Sequence, residues 1–149
     1  MTTPTDKSLR LQDFLPYRLA VTSNLVSRRI AEAYQSRFGI SIWEWRVIAI
    51  LGEGEAMTAQ ELADSAAMDK VSVSRAVKNL VGRGLVARAA HASDGRSRLL
   101  TLTEAGHTTY QDIAPVALAE EAALLAGLSD TEITQLADLL DRVRRAAGT

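Results

Sequence analysis

The chain contains no cysteine, which rules out a disulfide frame, a thiolate metal site and a thiol redox sensor together. Sulfur redox chemistry is left to three methionines. Histidine is almost as scarce: His91 and His107 are the only two, and neither lies near a carboxylate cluster at ligand spacing, so no metal site is expected. No serine occupies a nucleophile elbow and no glycine-rich phosphate loop follows a strand, so neither enzymatic activity nor a cofactor is expected. Long apolar runs are also missing. No stretch approaches the roughly 20 apolar residues of a membrane helix, and the opening MTTPTDKSLRLQDF has no basic leader; a cytoplasmic protein is expected. Glycine (9) and proline (3) are few, and with 47% hydrophobic and 23% charged residues the composition excludes a disordered chain.

What is present is 149 residues, enough for one helix-rich domain with a buried core. The net charge of -1 would argue against a polyanionic partner if it were evenly spread. It is not. Between Lys70 and Arg98 stand Lys70, Arg75, Lys78, Arg83, Arg88, Arg96 and Arg98 against Asp94 alone, a net +6, so the remaining residues carry -7.

Helix caps punctuate the chain. Ser41 to Glu44, Thr58 to Glu61 and Ser129 to Glu132 match the capping box, in which hydroxyl and carboxylate satisfy amides that a first helical turn leaves without partners. Thr103-Glu104 opens a further helix with a hydroxyl cap and an acid in the first turn. These starts predict helices over about 16–38 (with a short helical turn before it), 42–52, 59–65, 70–83, 104–126 and 130–146, and two short strands, 85–88 and 97–102, around an Asp94-Gly95 turn. Pro115, inside the fifth helix, predicts a bend or break there.

The segment from Thr58 to Val86 reads as helix-turn-helix. At 100° per residue, Val73, Ala76, Val77 and Leu80 fall on one side of its second helix, whereas Val71, Arg75 and Lys78 point the other way, flanked by Ser72 and Ser74. That outward face suits double-stranded DNA: arginine can grip guanine with two hydrogen bonds, hydroxyls and lysine can hold phosphates or base edges, and valine can touch a thymine methyl. Gly84 then ends the helix in a left-handed conformation and leads into the hairpin. The expected fold is mainly α with a small β-hairpin wing, a winged helix-turn-helix. Arg96 near the wing tip is expected in the minor groove, with Asp94 orienting it, and Lys70 and Arg98 nearer phosphates.

The order of these features resembles the MarR (multiple antibiotic resistance regulator) family of transcription factors. The resemblance is carried by Ser72-Val73-Ser74-Arg75, by Leu80-Val81-Gly82-Arg83-Gly84-Leu85-Val86-Ala87-Arg88, by Asp94-Gly95-Arg96, and by Leu102-Thr103-Glu104-Ala105-Gly106. It extends upstream to Phe38-Gly39-Ile40-Ser41-Ile42-Trp43-Glu44-Trp45-Arg46; Gly95 departs from it, since relatives often carry a cation there. The resemblance implies a homodimeric DNA-binding regulator, a repressor at a pseudo-palindromic promoter site. Segments of about 8–40 and 104–146 would form its dimerisation helices, and about 41–103 its DNA-binding lobe.

Two apolar stripes, Phe14, Leu19, Leu25, Val26, Ile30, Tyr34 and Phe38 near the start and Ile133, Leu136, Ala137, Leu140 and Val143 near the end, fit that dimer; they equally fit a core within one chain. The family's small-molecule cleft would draw on Tyr17, Trp43 and Trp45, binding a small aromatic or apolar effector, with core packing the alternative for each aromatic. A functional rival is a winged-helix adaptor that binds protein and not DNA.

Overall fold

The structure, a computed structural model, describes residues 8–90 and 98–148. A 3-10 turn, Leu11–Asp13, leads into α1 (Leu15–Phe38), followed by α2 (Ile42–Gly52), α3 (Ala59–Ala66), α4 (Lys70–Gly82), β1 (Val86–Ala90), β2 (Arg98–Leu102), α5 (Glu104–Leu124) and α6 (Asp130–Ala147). The predicted Asp94-Gly95 turn, with Asp94 and Arg96, lies outside the described residues.

All three capping boxes form: the hydroxyls of Ser41, Thr58 and Ser129 accept from the amides of Glu44, Glu61 and Glu132, whose carboxylates accept in return. Each helix start is therefore set by four consecutive residues. Pro115 does not break α5, which continues to Leu124. Its side chain is exposed, so the carbonyl that loses its intrahelical donor lies where water can serve it.

The core lies among α2, α3, α4 and the base of the hairpin. Val47, Ile48, Leu62, Leu80 and Leu100 are buried there, joined by Tyr34 from α1 and Ile113 from α5. The strands pair antiparallel with Val86 opposite Leu102, Arg88 opposite Leu100 and Ala90 opposite Arg98. Because side chains alternate across a strand, Val86, Arg88, Arg98, Leu100 and Leu102 share one face. Its inner end is buried and its outer end is cationic. Met57 adds a single bridge to this hairpin, its amide donating to Leu100 O at 3.2 Å and its carbonyl accepting from Leu100 N at 2.7 Å. One residue has no periodicity, so nothing in the local sequence announces it.

The hairpin is sealed to the helices on both sides of it at one junction. Gly84 (φ 74°) turns the chain out of α4. The Thr103 hydroxyl donates to Gly84 O at 2.6 Å and accepts from Gly106 N at 3.0 Å, while Thr103 N donates to Leu85 O at 3.0 Å. Gly106 is buried directly against the Leu85 carbonyl.

Candidate nucleic-acid interface

The second helix of the helix-turn-helix, α4, is oriented by its buried side. Val73, Ala76, Val77 and Leu80 are each at most 3% exposed, so the opposite face is turned to solvent. On that face Val71 (59% exposed), Ser74, Arg75 and Lys78 are exposed, with Lys70 at the first turn. Ser72 is different. Asp69 caps the helix by accepting Ser72 N at 2.7 Å, and the Ser72 hydroxyl donates to the same carboxylate at 3.1 Å. These hydrogen bonds hold the Asp69 carboxyl below its ordinary pKa, and they leave Ser72 only its acceptor lone pairs for a ligand.

Beside α4, a groove of about 360 Å³ runs between the first turn of α3 and the hairpin, lined by Thr58, Gln60, Ser74, Arg88 and Arg98 over a floor that includes Leu100. Arg88 and Arg98 reach it together because the strand register puts them on the same face. Among the described residues none of Lys70, Arg75, Lys78, Arg88 and Arg98 has an acidic partner. In the sequence Arg88 counts towards the regional charge and closes one of the resemblance motifs, with no site role of its own. Its parity with Val86 is the available signal, but that parity needs the register to point it into a groove.

Arg83 leaves the basic set. Its guanidinium donates to Gly39 O at 2.8 Å and to Phe38 O at 3.2 Å, at the end of α1.

The three aromatic candidates for a ligand cleft do not converge within the chain. Trp45 lies between Tyr34 (ring centroids 5.7 Å) and Tyr110 (6.1 Å, stacked), packed against the core. Burial pushes the Tyr34 phenol up to about 12 against a smaller opposing pull from Arg46. Tyr17 is 44% exposed on α1. Of the three, Trp43 borders a groove, about 270 Å³ between α1 and α2, whose walls also carry Ser27, Arg28, Gln35 and Arg46. The Arg46 guanidinium sits 5.2 Å from the Trp43 ring centroid and donates to the Ser27 hydroxyl at 3.4 Å.

The terminal helices leave most of their apolar stripes uncovered within the chain. No described residue of α6 is buried, and Leu136, Leu139, Leu140 and Val143 are 40 to 52% exposed. Phe14, Leu15, Leu19 and Leu25 of the first helical segment are likewise exposed. It is the later part of α1, with Ile30, Ala31, Tyr34 and Phe38, that joins the core. For most of their length the stripes are not an internal core.

A helix-turn-helix with an attached two-stranded wing and a solvent-facing cationic second helix defines the winged-helix class of fold. The MarR family model matches residues 38–97, from the last residue of α1 past β1 and up to the start of β2. The fold of a MarR/EmrR family regulator from an Acinetobacter species superposes with a TM-score of 0.86 at 28% identity, covering 94% of this chain and 99% of that one. A transcriptional repressor of Mycobacterium tuberculosis is 27% identical over 130 residues, 87% of this chain and 91% of the relative. The fold also matches CouR of Rhodococcus jostii, solved with p-coumaroyl-CoA bound, at 23% identity and a TM-score of 0.78, over 91% of this chain and 95% of that one. The chain is thus similar to MarR-family transcriptional regulators in sequence over residues 38–97 and in fold along nearly its whole length. Its relatives are regulators, not enzymes, and no helix among the described residues is long and apolar enough to cross a membrane.

Proposed function

We propose that the protein is a homodimeric repressor that binds a two-fold symmetric promoter site. The observation that carries this reading is the run of cations without acidic partners among the described residues, across α4 and the neighbouring groove, in a chain whose net charge is -1. Arg75 serves a base edge in the major groove, with Ser74, Lys78 and the acceptor side of Ser72 beside it. Lys70, Arg88 and Arg98 serve phosphates, and Arg96 serves the minor groove from the wing. The segments of about 8–40 and 104–146 supply the dimer contact, and about 41–103 the DNA-binding lobe. Two lobes so paired would meet successive major grooves about 34 Å apart.

A salt titration of binding to duplexes selected from random sequence tests this reading against the adaptor. The logarithm of affinity should fall with the logarithm of salt at about 0.9 per phosphate neutralised. Arg88→Ala should reduce that slope by about 1 and weaken all sequences alike, whereas Arg75→Ala should cost about 1 to 3 kcal/mol of discrimination at one base position. Flat salt dependence in the parent protein would favour the adaptor.

The groove at Trp43 supports an effector that is aromatic and anionic, because Arg28 and Arg46 face a site with one aromatic wall. That narrows the aromatic or apolar ligand expected from the sequence. Hydroxybenzoates should quench the tryptophan fluorescence of the parent and not of Trp43→Phe, and a neutral phenol should bind more weakly. Quenching that survives the substitution would move the ligand elsewhere.

A further inference from the structure

We propose that Arg83 is a positioning residue: a brace that sets the angle between the dimerisation helix α1 and the recognition helix α4, and through it the spacing of the two recognition helices. The proposal rests on the dimer reading above and assigns a device within it.

The joint between α1 and α2 is short. Gly39 (φ 64°) ends α1 in the left-handed region, Ile40 plugs the core completely buried, and Ser41 starts α2 as its cap. An apolar plug holds position but not rotation, since dispersion contacts have no direction. Direction comes from Arg83, the residue that caps the C-terminus of α4. Its two terminal nitrogens donate to two successive carbonyls, Phe38 O at 3.2 Å and Gly39 O at 2.8 Å.

Those carbonyls lie at the C-terminal end of α1, where backbone acceptors lack helical partners and the helix dipole presents its negative end. A planar guanidinium that spans two acceptors resists twisting about the joint, as one hydrogen bond could not. The C-terminus of α1 is thereby tied directly to the C-terminus of α4, in addition to the packing of α2 against both helices. In a symmetric dimer any rotation allowed at one joint is repeated at the other, so slack there is doubled in the distance between lobes.

The absence of native cysteine makes this measurable. A nitroxide on Asn79→Cys, exposed on α4, places one label on each recognition helix, and pulsed dipolar spectroscopy reads the distance between them. The parent should give a single narrow distance. In Arg83→Ala that narrow distance should be lost to a broad distribution, and in Arg83→Lys, whose ammonium cannot span both carbonyls with a planar fork, the width should be intermediate. Thermal melts followed by circular dichroism should show each variant cooperatively folded; if Arg83→Ala fails to fold, the lysine variant decides. A distribution as narrow as the parent's in the folded variant overturns the brace. No dipolar modulation in the parent would refute the dimer itself, and with it the spacing that the brace is said to set.

Discussion

Gly106→Ala should lower stability by about 2 to 3 kcal/mol, although alanine is favoured over glycine within a helix by about 1 kcal/mol. A methyl group on Gly106 would overlap the carbonyl oxygen of Leu85, and that oxygen cannot retreat. It accepts the Thr103 amide, while the neighbouring Gly84 carbonyl accepts the Thr103 hydroxyl. Relief of the overlap therefore requires α5 to move off the hairpin base or the α4 turn to open. Gly52 differs in kind, because a methyl there would meet the ring of Tyr110 and not backbone. Urea titrations at matched protomer concentration should show a lower midpoint for Gly106→Ala with an unchanged slope. An unchanged midpoint would mean that the junction is softer than its hydrogen bonds imply.

Leu140→Asp should convert the proposed dimer to monomers at micromolar concentration. Leu140 is 46% exposed on a helix that buries none of its described residues against its own chain, and Leu136 and Val143 lie on the same helix at 40 and 52%. In an isologous interface each substitution enters twice, and a carboxylate buried without a partner costs several kcal/mol. The dimer dissociation constant should rise by at least about a thousandfold, equivalent to about 4 kcal/mol. Sedimentation velocity would measure it, and the helical signal of the lobe should persist because α6 takes no part in the core. A variant that sediments as the parent does would remove α6 from the interface.

Much of the fold is legible in the sequence because its signals are short-range. A capping box is complete within four residues, and the inward face of α4 follows from 100° per residue alone, which is why Val73, Ala76, Val77 and Leu80 are buried where their spacing puts them. The order of the elements and the resemblance to the MarR family are legible for the same reason, since the residues that carry the resemblance include the sealing residues of one junction: Gly84, Leu85, Thr103 and Gly106. The site is less legible. Arg83 and Arg88 look alike on the chain, five positions apart in one basic run. One donates to carbonyls at the end of α1 and the other lines the groove beside α4. Trp43 and Trp45 are as alike, yet one borders a groove and the other is stacked between two tyrosines.

The amino-acid order by itself determined where helices begin, which face of each is apolar, and that positive charge gathers between residues 70 and 98, because each of these depends on neighbours within about one or two helical turns. Tertiary structure alone decided which of those cations meet solvent, which aromatic side chains are consumed by packing, and that the apolar faces of the terminal helices find little cover within their own chain. Those outcomes depend on segments far apart in sequence being brought together, and a side chain's spacing along its own helix carries no information about what will arrive opposite it.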